Sequence, residues 1–347
     1  MINVGLIGVG YWGPNLAKSF ELTQNATIKW LCDLNKEQLQ RIANRYPDAR
    51  ATFDLQDIIN DSSVDAVAIS TPAGSHFKIA LQMLEAGKHV LVEKPITVDS
   101  QQASRLTELA ERKGLTLMVG HVFEYNSTIR FLKEIIRSGE LGEVYYLNFE
   151  RTNLGPVRTD VNALWDLATH DIYIMNFLLD ATPINVTANG QSYLNPEVED
   201  AIYATFGYEG GIMAHVSASW LNPRKVRKII VVGSKKMAVW DDLDLNQPIQ
   251  VYDKYVGLSQ DIPDTFEAYK TSIVNGGVYI PHIIPNQPLQ AECEHFVECI
   301  ETGAKPQSDG HSGMQVVLAL EAAGLSMKNQ SRKVEIRKAG AELKINK

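Results

Sequence analysis

The run Gly8-Val9-Gly10-Tyr11-Trp12-Gly13 constrains this chain more than any other feature, because it stands between a short apolar run, Val4 to Ile7, and a helical stretch opening at Pro14. Proline suits a first helical turn, where the missing N–H costs nothing. In that strand-to-helix setting Gly8 allows a tight turn, Gly10 lets the backbone come close to a bound pyrophosphate, and Gly13 permits close packing of the helix. The N–H groups of a helix N-terminus favour the phosphate charge. The plainer reading, glycines that only close a turn, stays open on the motif alone.

Asp33 narrows that choice. It ends the second apolar run, Ile28 to Cys32, 20 residues after Gly13, where a carboxylate accepts hydrogen bonds from an adenosine ribose. The alternative for Asp33 is a solvated loop carboxylate. An acidic group there repels a 2′-phosphate, and Leu34 and Asn35 supply no guanidinium for one, so the expected cofactor is NAD in preference to NADP. Thr71, Pro72 and His76 follow the third apolar run, where a loop borders a dinucleotide. His76 reads as a helix N-terminal or cofactor-lining residue before a catalyst.

The rhythm around the motif defines the first domain. Strands are expected at Val4 to Ile7, Ile28 to Cys32, Ala66 to Ser70, His89 to Val92 and Leu117 to Val119. Helices are expected between them at Pro14 to Leu22, Lys36 to Arg45, Ser75 to Glu85 and Ser100 to Arg112, two of them stopped by Gly87 and Gly114. Alternation of this kind is the signature of an α/β Rossmann unit, a doubly wound parallel sheet, spanning 1–121. Beyond a further helix, Ser127 to Ser138, the runs become longer and alternate in polarity. Ala201 to Gly207 and Ile212 to Trp220 read as a hairpin joined through Glu209, Gly210 and Gly211. Val226 to Val232, Met237 to Trp240 and Ile249 to Tyr252 add strands, and Leu289 to Glu301 and Met314 to Lys328 carry helical spacing. The second domain, 122–347, is expected to be α+β, an open and largely antiparallel sheet with helices on one face. Val256 to Asn286, rich in Pro, Gly, Asp and Tyr and without a clear period, reads as an ordered excursion beside the substrate.

Two domains suit 347 residues, since single cores stop growing at roughly 250–300. A net charge of −8 argues against nucleic acid or an anionic membrane as partner. Apolar runs such as Ile229 to Val232 are far shorter than the ~20 residues a membrane helix needs. Cys32, Cys293 and Cys299 are odd in number and lack zinc-ligand spacing, which leaves no metal site and reduced thiols. No apolar signal segment opens the chain, and the expectation is a soluble, cytoplasmic protein.

Together with the glycine-rich turn, Glu93-Lys94-Pro95 and the Asp166-x-x-x-His170 arrangement make nearly the whole chain resemble the Gfo/Idh/MocA oxidoreductase family. The resemblance implies a Rossmann domain, a second domain whose sheet forms a homo-oligomer, dimer or tetramer, and oxidation of a sugar or polyol hydroxyl. Within the family, Gly10 to Asn15, Leu164 to Leu167, His170-Asp171 and Gly233 to Met237 are most similar to the nucleotide-sugar branch of UDP-N-acetylglucosamine 3-dehydrogenases. That branch implies oxidation at C3 of a UDP-N-acetyl-hexosamine, or its uronic acid, to a 3-keto sugar for cell-surface polysaccharide.

The resemblance also implies cofactor contacts at Gly8, Gly10, Tyr11, Trp12, Gly13, Asp33, Thr71, Pro72, His76, Glu93 and Lys94, and catalysis by Lys94, Asp166 and His170. An alcohol needs a base, and an imidazole titrates near ~6.5, close to working pH. On an apolar helix Ala163 to Leu179, Asp166 and His170 would share one face. Lys94 would place a cation beside the reacting oxygen. A cis Lys94-Pro95 bond is compatible with the sequence. The alternative makes Asp166 and His170 a buried structural pair. For a substrate diphosphate the candidates are Arg151, Arg158 and Arg224, with Lys225 and Arg227 nearby, against the alternative of ordinary surface charges. Free polyols such as an inositol are the competing substrates, and a non-catalytic NAD-binding regulator is the competing class.

Overall fold

Short runs of β-branched and aliphatic residues form the first sheet because both of its faces are covered, so their side chains are buried on both sides. In the computed structural model, which describes residues 1–159, 161–256, 273–336 and 344–345, β1 (Ile2–Ile7), α1 (Gly13–Leu22), β2 (Ala26–Cys32), α2 (Lys36–Ala43), β3 (Arg50–Thr52), α3 (Leu55–Asn60), β4 (Ala66–Ile69), α4 (Ala73–Glu85), β5 (His89–Glu93), α5 (Ser100–Lys113) and β6 (Leu117–Gly120) follow in turn. The six strands are parallel and lie in the order β3-β2-β1-β4-β5-β6. This is the doubly wound Rossmann order, whose ligand crevice lies at the carboxyl ends of the strands where the order reverses, here between β1 and β4. Gly87 and Gly114 adopt positive φ at the ends of α4 and α5, as expected of helix-stopping glycines. β3 and α3 are too short to announce themselves by periodicity.

The second sheet begins after α6 (Ser127–Arg137), with β7 (Val144–Leu154), α7 (Thr169–Leu179), β8 (Asn185–Gln191), β9 (Ala201–Gly207), β10 (Met213–Ser219), β11 (Leu221–Gly233), β12 (Met237–Asp241), β13 (Ile249–Val256), β14 (Ile273–Tyr279), β15 (Val334–Glu335) and β16 (Lys344–Ile345). Its order is β14-β13-β12-β11-β7-β10-β9-β8-β15-β16, antiparallel throughout except for β7 with β10. The hairpin expected through Glu209, Gly210 and Gly211 is present as β9 and β10. Leu147, Phe149, Ile202, Ala204, Phe206, Ala214, Val216, Ile229, Val231 and Trp240 are buried on one face. There Trp240 Nε1 donates to Thr128 Oγ1 of α6 at 2.7 Å. The alternate positions, with Tyr146, Tyr203 and Met213 exposed, form the open face.

The chain divides into two compact units, Met1–Tyr125 with Asn286–Leu318, and Asn126–Pro285 with Ala319–Lys347. A single cut after 121 therefore misplaces the helix Pro288–Thr302, which belongs to the first unit. Phe296 meets Phe20 of α1 edge-on at 6.5 Å, and Cys293 and Val297 are buried in the same cluster. Helical spacing shows that a segment buries one face, but not against which partner. Within the expected excursion Val256 to Asn286, residues 257–272 lie outside the described residues, and Ile273–Tyr279 pairs with β13 as a strand largely exposed on both faces. With no buried face it carries no alternation for the sequence to show.

Candidate active site

The crevice between β1 and β4 is built by glycine and serine. Gly8 has φ +88°, and a Cβ there would lie 2.8 Å from the Ser70 and Thr71 backbone. Ser70 Oγ donates to the Gly8 carbonyl at 2.7 Å, drawing the two strand ends together. A Cβ on Gly13 would stand 2.4 Å from that same carbonyl oxygen. Gly10 is different: a Cβ there would meet only Gln38 Oε1, at 3.3 Å. Two of the three glycines are thus demanded by the protein's own packing, while the third leaves its surroundings open for a ligand. Tyr11 is 95% exposed on this loop. α1 opens with Pro14 in its first turn and has no acidic residue there to compete with a phosphate.

Asp33 is aimed by the backbone. Its Oδ2 accepts from Val9 N–H and its Oδ1 from Asn35 N–H, both at 2.7 Å, and a carboxylate has about four acceptor sites, leaving capacity for a ribose. Asn35 also caps α2 by accepting from Gln38 N–H. This set fits a dinucleotide: an N-terminus free of acid, an open position at Gly10, and a carboxylate at the end of β2.

Thr71 and Pro72 lead into α4, with Ser75 Oγ donating to both Thr71 Oγ1 and the Pro72 carbonyl at 2.7 Å. His76 is buried, and its two ring nitrogens lie 2.8 Å from the carbonyls of Pro95 and Thr71. Burial holds its pKa below the ordinary value against the pull of those carbonyls. His76 is therefore a strut tying the loop after β4 to the segment after β5, with no nitrogen left for a cofactor. Lys94 and Pro95 are joined by a cis peptide bond. Glu93 accepts from Trp12 Nε1 at 2.5 Å and from Lys94 N–H at 3.3 Å.

In the second unit the segment expected as one α-helix, Ala163 to Leu179, opens instead with a π-helical turn, Leu164–Ala168, before α7. Asp166 sits inside that turn and His170 in the first turn of α7, so the four-residue spacing does not give plain α-helical alignment. One extra residue in a helical turn leaves no mark in apolar spacing. Such turns recur at functional sites. Asp166 Oδ2 accepts from Trp220 Nε1 at 3.0 Å, and Oδ1 pairs with Arg158 at 3.3 Å. Arg158 keeps 39% of its side chain exposed, and Arg224 is exposed on β11.

Arg151, expected to face a diphosphate, does something else. Its side chain is 5% exposed and its Nε and Nη2 grip Asp171 at 2.6–3.0 Å. β7 puts residue 151 on the covered face of the sheet, where a guanidinium needs an internal carboxylate.

One participant escaped the sequence reading: Trp220 is 1% exposed and holds Asp166, and nothing in the linear order joins the two.

Comparison with known proteins agrees with this geometry. Residues 2–121 match the oxidoreductase family with an NAD-binding Rossmann fold, and residues 129–239 match the GFO/IDH/MocA C-terminal domain. The chain is 28% identical to UDP-N-acetylglucosamine 3-dehydrogenase of Acidithiobacillus ferrooxidans, covering 92% of this chain and 95% of that protein. It is 25% identical to a scyllo-inositol 2-dehydrogenase (NADP(+)) of Bacillus subtilis, covering 95% and 94%. The solved structure of the Acidithiobacillus ferrooxidans enzyme superposes with a TM-score of 0.80 at 26% identity, covering 94% of this chain and 98% of that one. Among the described residues no helix is long and apolar enough to cross a membrane. By both domains, the chain belongs to the Gfo/Idh/MocA family of NAD-binding oxidoreductases.

Proposed function

We propose that the protein oxidises a secondary hydroxyl of a nucleotide sugar, at C3 of a UDP-N-acetyl-hexosamine or its uronic acid, giving a 3-keto sugar. The observation that carries this reading is likeness over almost the whole length of both chains to a UDP-N-acetylglucosamine 3-dehydrogenase. Arg224 is exposed and is the candidate for a diphosphate, whereas Arg158 is half-buried and paired with Asp166, and Arg151 is withdrawn from that role by Asp171. The similarity to an inositol dehydrogenase supports a free polyol as the second reading.

When bound, NAD would supply the hydride acceptor for the substrate carbon. The chain's own residues would do the rest. His170 takes the hydroxyl proton, which a base near neutral pH does efficiently. The Lys94 ammonium stabilises negative charge growing on the substrate oxygen. Asp166, kept in one orientation by Trp220 and Arg158, holds a substrate hydroxyl or the imidazole. Preference for NAD over NADP follows from Asp33 and the absence of a cationic residue at positions 34 and 35. The open face of the second sheet, with Tyr146 44%, Tyr203 56% and Met213 53% exposed, is the surface a second copy of the chain would cover.

The test is incubation of the purified protein with NAD and a panel of UDP-sugars and inositols, following NADH absorbance and product mass, with calorimetry of UDP alone. Turnover of UDP-N-acetyl sugars with measurable UDP binding is expected. Turnover of an inositol without UDP binding establishes the second reading. Intact NADH binding with no turnover on any panel member is what a regulatory protein would give.

A further inference from the structure

Side chains tie the strand ends together at the carboxyl edge of the first sheet, where β1, β4 and β5 are consecutive. Ser70 Oγ, after β4, donates to the Gly8 carbonyl after β1 at 2.7 Å. The His76 ring lies 2.8 Å from the Thr71 carbonyl after β4 and from the Pro95 carbonyl after β5. These ties link neighbouring strands. The bond from Trp12 Nε1 to Glu93 Oε1, at 2.5 Å, instead joins the turn after β1 directly to the end of β5, with β4 between them. That is two strand spacings, roughly 10 Å of sheet edge. It closes the shorter ties into a ring.

Both ends of this strap are fixed. Trp12 directly precedes α1, and its half-buried side chain packs on the apolar cluster that contains Phe20 and Phe296. Glu93 accepts Lys94 N–H at 3.3 Å through its second oxygen. Beside the carboxyl group lies the bare Cα of Gly120, where a Cβ would stand 3.0 Å from Oε2 and 3.1 Å from Oε1. Glycine at the end of β6 thus leaves the carboxyl group the room it occupies. Burial raises Glu93 to about 7, opposed by the Lys94 charge and the two hydrogen bonds, so the group is charged on the alkaline side of neutrality. There the indole bond is charge-assisted, and such bonds are roughly twice as strong as neutral ones.

We propose that Glu93 is a positioning residue for the dinucleotide that acts through Trp12: the carboxylate holds the indole, and the indole holds the turn 8–13 against the strand end that carries Lys94. The inference rests on residues 8–13 being the pyrophosphate loop. Without the strap the turn keeps its anchor to β4 through Ser70 but loses this one to β5. The loop that meets the phosphates can then drift from Lys94. A glutamate that bound the dinucleotide itself would contribute whether or not the indole N–H were present. One that acts through Trp12 contributes nothing once that N–H is gone.

The test is a double-mutant cycle on NADH affinity in the full-length protein, followed by NADH fluorescence on the alkaline side of neutrality. Trp12→Phe removes the donor and keeps an aromatic ring, Glu93→Leu removes the acceptor, and a third protein carries both changes. Each single change should raise the NADH dissociation constant about tenfold, as expected for loss of a hydrogen bond to a charged group. The double variant should bind no more weakly than the singles. Glu93→Gln, whose amide oxygen still accepts the indole N–H but without charge, should fall between wild type and Glu93→Leu. Gly120→Ala removes no hydrogen-bonding group, yet its Cβ would displace the carboxyl, so it too should weaken NADH binding. It supplies the answer if Glu93→Leu does not fold. Effects that multiply in the double variant make Glu93 an independent contact and overturn the proposal, as does wild-type affinity in Trp12→Phe. Gly10→Ala is measured alongside. If it weakens NADH binding while the strap variants do not, the loop stands and the strap falls. If it too binds like wild type, the assignment of 8–13 fails and takes the strap with it.

Discussion

The three glycines of the first loop should separate into two classes when each is changed to alanine. At Gly13 the new Cβ would lie 2.4 Å from the Gly8 carbonyl oxygen and 3.4 Å from Ser70 Oγ. A carbon needs nearly an ångström more than the first distance, and the atom in the way is backbone held by the Ser70 hydrogen bond at 2.7 Å. Overpacking of this kind costs ~1–3 kcal/mol. At Gly10 the nearest atom is the end of the flexible Gln38 side chain at 3.3 Å, and φ is not in the left-handed region. Gly10→Ala should therefore leave stability unchanged or raise it by ~0.4–1 kcal/mol through the unfolded chain. The methyl would occupy the space left for a pyrophosphate. Losing one hydrogen bond to a charged group is worth ~1.5–3 kcal/mol, or roughly 10- to 100-fold in the NADH dissociation constant. Thermal unfolding without cofactor, paired with NADH titration, measures both quantities. Gly10→Ala with wild-type NADH affinity, or Gly13→Ala with wild-type stability, would refute the reasoning.

Asp33→Ala should weaken NAD binding and narrow the preference over NADP, read from kcat/KM with each cofactor; equal efficiency in the wild type would remove the argument from Asp33. Asp171→Asn leaves the buried Arg151 guanidinium without its countercharge. Breaking such a pair costs ~3–5 kcal/mol, visible as a lower Tm, and wild-type stability would show that Arg151 has another means of compensation. Trp220→Phe removes the 3.0 Å donor to Asp166. Turnover should fall by ~10-fold or more, the worth of a hydrogen bond to a charged group, while NADH affinity holds, and unchanged turnover would show that Asp166 needs no such anchor.

Local rules carried much of the first domain. The strand, glycine turn and helix around Gly8 to Gly13, the carboxylate at Asp33 and the stops at Gly87 and Gly114 all depend on neighbours a few residues away, and each is where the sequence placed it. Apolar spacing likewise identified the β9–β10 hairpin, α6 and the helix Pro288–Thr302 as elements. What a local rule cannot contain is the identity of the opposite surface. β7, the parallel partner of β10 at the middle of the second sheet, carries Arg151 on its covered face, so a cation that looked available to substrate is committed to Asp171. Periodicity assigned a helix near residue 295 to the wrong domain, because Phe296 meets Phe20 across more than two hundred intervening positions. The π-helical turn at Asp166 arises where i→i+5 pairing displaces the usual ladder, a choice that apolar spacing does not record.

Sequence by itself thus determined the dinucleotide-binding class of the first domain, since the glycine-rich turn and the carboxylate expected of it are written within one strand–turn–helix unit and its neighbouring strand. Tertiary structure alone decided the ionisation and orientation of the groups around that unit. Glu93 and Glu292 are both ordinary glutamates in the linear chain. Folding removes water from Glu292 and sets Glu93 between Trp12 and Gly120. Desolvation and Coulomb interaction depend on distance in space, and only the folded chain supplies those distances.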